Sequence, residues 1–194
     1  MVETFKNSIL AGVLIGLGCL ISNLIANPIV GYCCFAMGLV YIRLSGLLLV
    51  TGQTQNLGKK LSFGRWCGIL SGNIIGALII AIAAAIYLSV AGKSDILSQV
   101  TLIAANKFRT TNLWQVLLSG TFCGMLMTIA TYPKSPLYIS ILCVMAFLFA
   151  GFNHCVADAF YLGFEFNNLR AWIIYVGIIL GNLFGGYIIK KEAA

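Results

Sequence analysis

The chain has 194 residues, 60% of them hydrophobic and only 9% charged, with 12 Lys and Arg against 5 Asp and Glu for a net charge of +7; its mean hydropathy is +0.99. A soluble domain carries about 25% charged residues, so this chain cannot cover a water-facing surface and its expected solvent is the bilayer. That setting removes nucleic acid as a reading of the positive charge and leaves no length for a separate soluble domain.

A membrane-spanning helix needs about 20 mostly apolar residues. Six windows meet that requirement, at about 8–27, 29–50, 66–90, 113–132, 136–161 and 170–189. The first is glycine-rich and has no small-x-small cleavage site ahead of polar sequence, so it is expected to be a retained helix rather than a signal peptide. The second carries Arg43, Ser45 and Gly46, then the polar Thr51, Gly52 and Gln53, and is expected to be interrupted. The third holds Gly72, Asn73 and Gly76. Between the third and fourth lies a more polar stretch with Lys93, Asp95, Lys107 and Arg109, expected to be a loop. The fifth runs through Phe147, Gly151, Asn153, His154 and Asp158, with the only histidine of the chain, and is the second interrupted helix. The sixth repeats the pattern of the third in Gly181, Asn182 and Gly185, 109 positions later.

That repeat divides the chain into two halves of three helices, about 7–92 and 107–191, within one domain spanning 1–194. An odd number of spans per half places the halves in opposite orientations, as in many transport folds. Non-helical backbone at membrane depth is tolerated only inside protein or against a water-filled cavity. Paired interrupted helices therefore point to a solute path, and ionisable groups inside spans point the same way. Lys6, Lys59, Lys60, Arg65, Lys134, Lys190 and Lys191 fall on one side and Lys93, Lys107, Arg109 and Arg170 on the other. The excess of positive charge puts both termini in the cytoplasm. The seven cysteines form no metal-binding pattern, and those in apolar runs read as small buried hydrophobes. No nucleophile–base set, metal cluster or phosphate loop is present, so neither an enzyme nor a cofactor is expected.

Five segments, in order, are similar to those of the formate/nitrite transporter family of pentameric anion channels. Ala11–Gly18 resembles its first helix, and Leu49-Val-Thr-Gly-Gln53 its L-F-T-G-N signature. Trp66 with Gly72–Ala77 resembles the third helix. Gly151-Phe-Asn-His-Cys-Val-Ala-Asp158 resembles the G-F-E-H-S-V-A-N signature of helix five, and Gly181–Gly186 the sixth helix. The resemblance implies an all-α, six-span, aquaporin-like protomer in a homopentamer of the cell membrane. It implies apolar constrictions at Leu39 and Phe147 on either side of a central His154 faced by Thr51, and a vestibule cation at Lys107 or Arg109. Four positions depart from the family pattern. Asn153 stands for a usual Glu, Asp158 for a usual Asn, Gly124 for an amide on helix four, and Arg43 for an apolar residue.

The expected function is a channel for small monovalent anions such as formate, nitrite, hydrosulfide or a short carboxylate. A bare anion crosses an apolar constriction at a cost of several kcal/mol, whereas the neutral acid does not carry that charge. Histidine titrates near neutral pH, so His154 is a candidate proton relay, or a protonated counter-charge for an anion that stays ionised. Asp158, four residues on, shares a helical face with His154; it can favour the imidazolium, repel anions, or pair with Arg43. Two further readings stay open: a neutral-solute channel for water, ammonia or urea, and a membrane subunit that does not transport.

Overall fold

The computed structural model describes residues 2–190; residue 1 and residues 191–194, with Lys191 among them, lie outside the described residues. The order is α1 (Val2–Leu24), α2 (Pro28–Ser45), α3 (Val50–Gln53) running into a 3-10 turn (Thr54–Asn56), α4 (Phe63–Val90), α5 (Ser94–Ala105) running into a π-helical turn (Asn106–Thr110), α6 (Leu113–Thr131), α7 (Leu137–Phe149), α8 (Cys155–Leu162) and α9 (Leu169–Lys190). Each expected window holds helix, and there are nine α-helices among the described residues because the second and fifth stretches are each broken in two and α5 lies between the third and fourth. Five are long and apolar enough to cross a membrane, namely α1, α2, α4, α6 and α9. The fifth window is filled by α7 and α8 together, with 13 and 8 residues, each too short to cross alone.

The loop expected after the third window is corrected. Residues 94–110 are helical, with Asp95 in the first turn, where a carboxylate complements the helix N-terminus. Hydropathy alone missed this helix because only part of its surface is apolar: Val100, Ala104 and Phe108 are buried and Leu102 is exposed.

Two seams hold the bundle together, α1 against α4 and α6 against α9, and both depend on glycine. A methyl group at Gly12 would run into the Asn73 carbonyl, and one at Gly76 into the Ile9 carbonyl. In the second seam a methyl at Gly185 would strike the Thr121 carbonyl. In lipid there is no hydrophobic drive between helices, so backbone contact of this kind supplies the packing energy.

The two breaks follow one plan. Gly46 ends α2 at φ 69° and Gly151 follows α7 at φ 67°, the left-handed region that favours glycine. Three residues of non-helical chain follow each glycine, 47–49 and 152–154. The exposed polar backbone of each break is taken up by one asparagine. Asn73 Oδ1 accepts from the Val50 N–H at 2.8 Å, and its Nδ2 donates to the carbonyls of Leu48 (2.9 Å) and Ser8 (2.7 Å). Asn182 Oδ1 accepts from the Cys155 N–H at 2.9 Å, and its Nδ2 donates to the carbonyls of Asn153 (2.8 Å) and Gly120 (3.0 Å). The repeated Gly-Asn thus has a structural cause: a buried backbone without water must be satisfied by side chains.

Candidate functional site

The breaks meet at their far ends. Thr51, one residue into α3, places Oγ1 3.2 Å from His154 Nε2, and both residues are buried. His154 is also the residue that precedes α8, and its Nδ1 accepts from the Ala157 N–H at 3.3 Å. A ring nitrogen that accepts carries no proton, so the neutral imidazole holds its proton on Nε2 and donates it to Thr51. Protonating Nδ1 would remove the cap and put a cation at the positive end of α8. This arrangement favours a neutral ring.

Apolar side chains close around the pair. The Phe147 ring lies 5.5 Å from the His154 ring, and Phe35 packs edge-on against Phe147 at 6.1 Å. Leu39 is fully buried in the core. Beyond Phe147 and His154 opens a cavity of 380 Å³, lined among others by Asn23, Lys107, Asp158 and Tyr161. Neither Leu39 nor Thr51 lines it.

Lys107 reaches this cavity from the π-helical turn. Its Nζ lies 2.8 Å from Asp158 Oδ1 and 3.2 Å from Asn153 Oδ1, and 5.6 Å from the centre of the Tyr161 ring. Asn153 donates to Ser119 Oγ at 2.6 Å, and Tyr161 is held by Asn23 at 3.0 Å. The two family departures at 153 and 158 therefore have a joint explanation. Both positions touch the same ammonium, and the expected carboxylate and amide have exchanged places around it.

Arg109, two residues on, points elsewhere. Its Nε donates to Glu165 Oε2 at 2.9 Å, and its Nη2 lies 2.8 Å from Oε1, close in distance but not aligned as a hydrogen bond. The hydrogen bond from Arg109 holds the Glu165 carboxyl below the usual carboxylate range, against the opposing effect of burial and with help from Asn168.

Two expectations are corrected. Arg43 does not pair with Asp158. At the last turn of α2 it donates to Ser140 Oγ at 2.5 Å and to the carbonyls of Tyr132 (3.1 Å) and Ser135 (2.8 Å), pinning the segment between α6 and α7. Gly124 does not mark a lost pore amide. It lies in the α6–α9 seam, where any side chain would strike the Asn182 backbone. Sequence reasoning gave no site role to Asn23, Ser119 and Tyr161. The first two are polar residues next to or within apolar runs, a signal that was present; Tyr161 was indistinguishable from an interfacial aromatic.

The comparisons agree with this fold. A family model described as formate/nitrite transporter matches residues 1–191. A solved structure titled as a pentameric formate channel with formate bound superposes with a TM-score of 0.79 at 19% identity, covering 98% of this chain and 94% of that one. One titled as an FNT family ion channel gives 0.76 at 21% identity, covering 98% and 88%. No curated protein matches the chain.

Proposed function

The chain belongs to the formate/nitrite transporter family, and we propose that this integral multi-pass membrane protein is a channel that passes small monovalent acids in their neutral form. What carries the reading is the Thr51–His154 contact, with the His154 ring beside Phe147 at the wall of the 380 Å³ cavity. An ion reaching that contact would lose its hydration for a few hydrogen bonds, at a cost of several kcal/mol. A small neutral acid loses far less, and it can both donate and accept.

His154 then serves the permeating acid as a neutral partner. Its Nε2–H donates to a substrate oxygen in place of Thr51 Oγ1, and the Thr51 hydroxyl turns so that Oγ1 accepts a hydrogen bond from the acid's O–H, which keeps its proton. A relay through the ring would need Nδ1 to release the Ala157 N–H, so we place protonation before His154 rather than on it. The inverted arrangement of the halves brings two equivalent breaks to one point. The charge bias puts both termini in the cytoplasm and the cavity on the outer face. A ring of five protomers, each with its own path, is the assembly we infer from the pentameric neighbour.

Stopped-flow flux of formate and hydrosulfide in proteoliposomes between pH 5 and 8 tests this. Wild-type flux is expected to rise with the concentration of neutral acid. Asparagine keeps the cap on α8, so His154→Asn is expected to slow flux about tenfold at every pH, the effect of one lost hydrogen bond. Its pH dependence should not change. A wild-type flux indifferent to pH would sink the neutral-acid reading in favour of an uncharged solute. A mutant that loses its pH dependence would restore the histidine as relay.

A further inference from the structure

The asparagines that hold the two breaks do not act alone on their helices. Trp66 lies seven residues before Asn73 on α4, and Tyr175 lies seven before Asn182 on α9. Seven residues is about two turns, so each aromatic ring leaves its helix on the same face as the asparagine. All four side chains are buried. Tyr175 Oη donates to the Cys155 carbonyl at 2.8 Å, while Asn182 takes the Cys155 N–H. In the first half the equivalent carbonyl is reached in two steps. The Trp66 indole N–H donates to Thr54 Oγ1 at 3.3 Å, and the Thr54 hydroxyl donates to the Val50 carbonyl at 3.2 Å, while Asn73 takes the Val50 N–H. The first residue of α3 and the first residue of α8 are thus each held at both main-chain groups, the N–H by an asparagine and the carbonyl by an aromatic side chain, directly or through Thr54.

We propose that Trp66 is a positioning residue for the pore: through Thr54 it holds the peptide that joins Val50 to Thr51, and so fixes the Thr51 hydroxyl against His154. The Val50 carbonyl and the Thr51 N–H belong to one planar unit, so a grip on the carbonyl sets the direction in which the Thr51 side chain leaves the backbone. That side chain has no anchor of its own, since among the described residues Thr51 Oγ1 bonds only to His154 Nε2. Thr54 is in turn wedged against α9, where a methyl group on Gly186 would strike it. An indole offers a single donor and no acceptor, so Trp66 orients the Thr54 hydroxyl one way only, with its proton toward Val50. The inference rests on the reading of the Thr51–His154 contact as the solute's station and adds the residue that sets its geometry.

Trp66→Phe removes the N–H and keeps a ring to stack on Phe63, now 6.0 Å away at 11°. Formate flux in proteoliposomes and melting temperature in detergent are measured for wild type, Thr51→Ala, Trp66→Phe and the double variant. Thr51→Ala is expected to slow flux about tenfold, the effect of one lost hydrogen bond. Trp66→Phe is expected to slow it about fivefold, because a shift well under 1 Å already matters at an oriented site. Both changes act through one hydroxyl, so the double variant should be no slower than Thr51→Ala, whereas the melting temperatures, which report packing alone, should fall additively. Fluxes that multiply make Trp66 a structural residue and overturn the proposal, as does wild-type flux in Trp66→Phe. Thr54→Val removes the same bond from its other end and should be silent in the Thr51→Ala background too; it decides the matter where Trp66→Phe does not assemble. If Thr51→Ala leaves flux unchanged, the reading of the Thr51–His154 contact falls first and this inference with it.

Discussion

The break at 46–50 and the break at 151–155 share a frame and differ in contents. Each has a left-handed glycine, three residues of non-helical chain and an asparagine gripping an N–H and a carbonyl. The first fills its three positions with Leu47, Leu48 and Leu49, and α3 begins with no side-chain cap. The second fills them with Phe152, Asn153 and His154, and α8 is capped by the imidazole itself. The polar side chains collect at the second break, with Thr51 contributed from the first. The two breaks share a frame and differ in the side chains that it holds.

Removing the shared frame gives the largest expected effect. Asn73→Ala and Asn182→Ala each strip three hydrogen bonds and leave one N–H and one carbonyl of the break unsatisfied, the third partner lying inside a helix. At 1–3 kcal/mol for each orphaned group, the loss is about 2 kcal/mol or more in either case. Thermal unfolding in detergent should show two drops of similar size. A large drop for one and none for the other would mean that the frame is not shared. Gly124→Asn comes next, since it forces a side chain into one seam only; overpacking of this kind costs about 1–3 kcal/mol. If its melting temperature equals that of wild type, the α6–α9 seam is looser than described. The smallest effect belongs to Glu165→Gln, which has no counterpart in the first half. The carboxyl is held below its ordinary value by Arg109, so its contribution exists above the unfolded-state value of about 4.3. It is lost as pH falls through the lower folded value. Wild type should melt slightly above Glu165→Gln at pH 7, and the two should converge in strong acid. A gap that persists there would assign the effect to shape rather than charge.

Much of this was legible in one dimension. Runs of apolar residues located every long helix because bilayer thickness fixes their length. The repeated Gly-Asn located the frame, and a lone histidine in an apolar stretch located the site. What was not legible depended on partners far along the chain. A pair between Arg43 and Asp158 was one of three readings left open, because an arginine in an apolar window needs a partner. Carbonyls freed at Tyr132 and Ser135 serve equally well, and sequence does not reveal which backbone ends lie nearby. Gly124 was read by what it lacks, whereas its role is to let two backbones touch. Helix α5 escaped because one exposed polar face lowers the average on which a hydropathy window relies. Lys107 was separable from Arg109 only once the helical turn fixed which of them points inward.

Asn73 and Asn182 grip main-chain atoms of the breaks: one N–H and one carbonyl each. Such a grip is indifferent to which side chains the gripped residues carry. Leu48 and Asn153 occupy equivalent places under the same clamp without changing its distances by more than about 0.1 Å. The framework is therefore blind to the residues that decide what passes. A lineage can try new side chains at 47–49 and 152–154 without rebuilding the walls, and so drift from one solute to another while the architecture stays fixed.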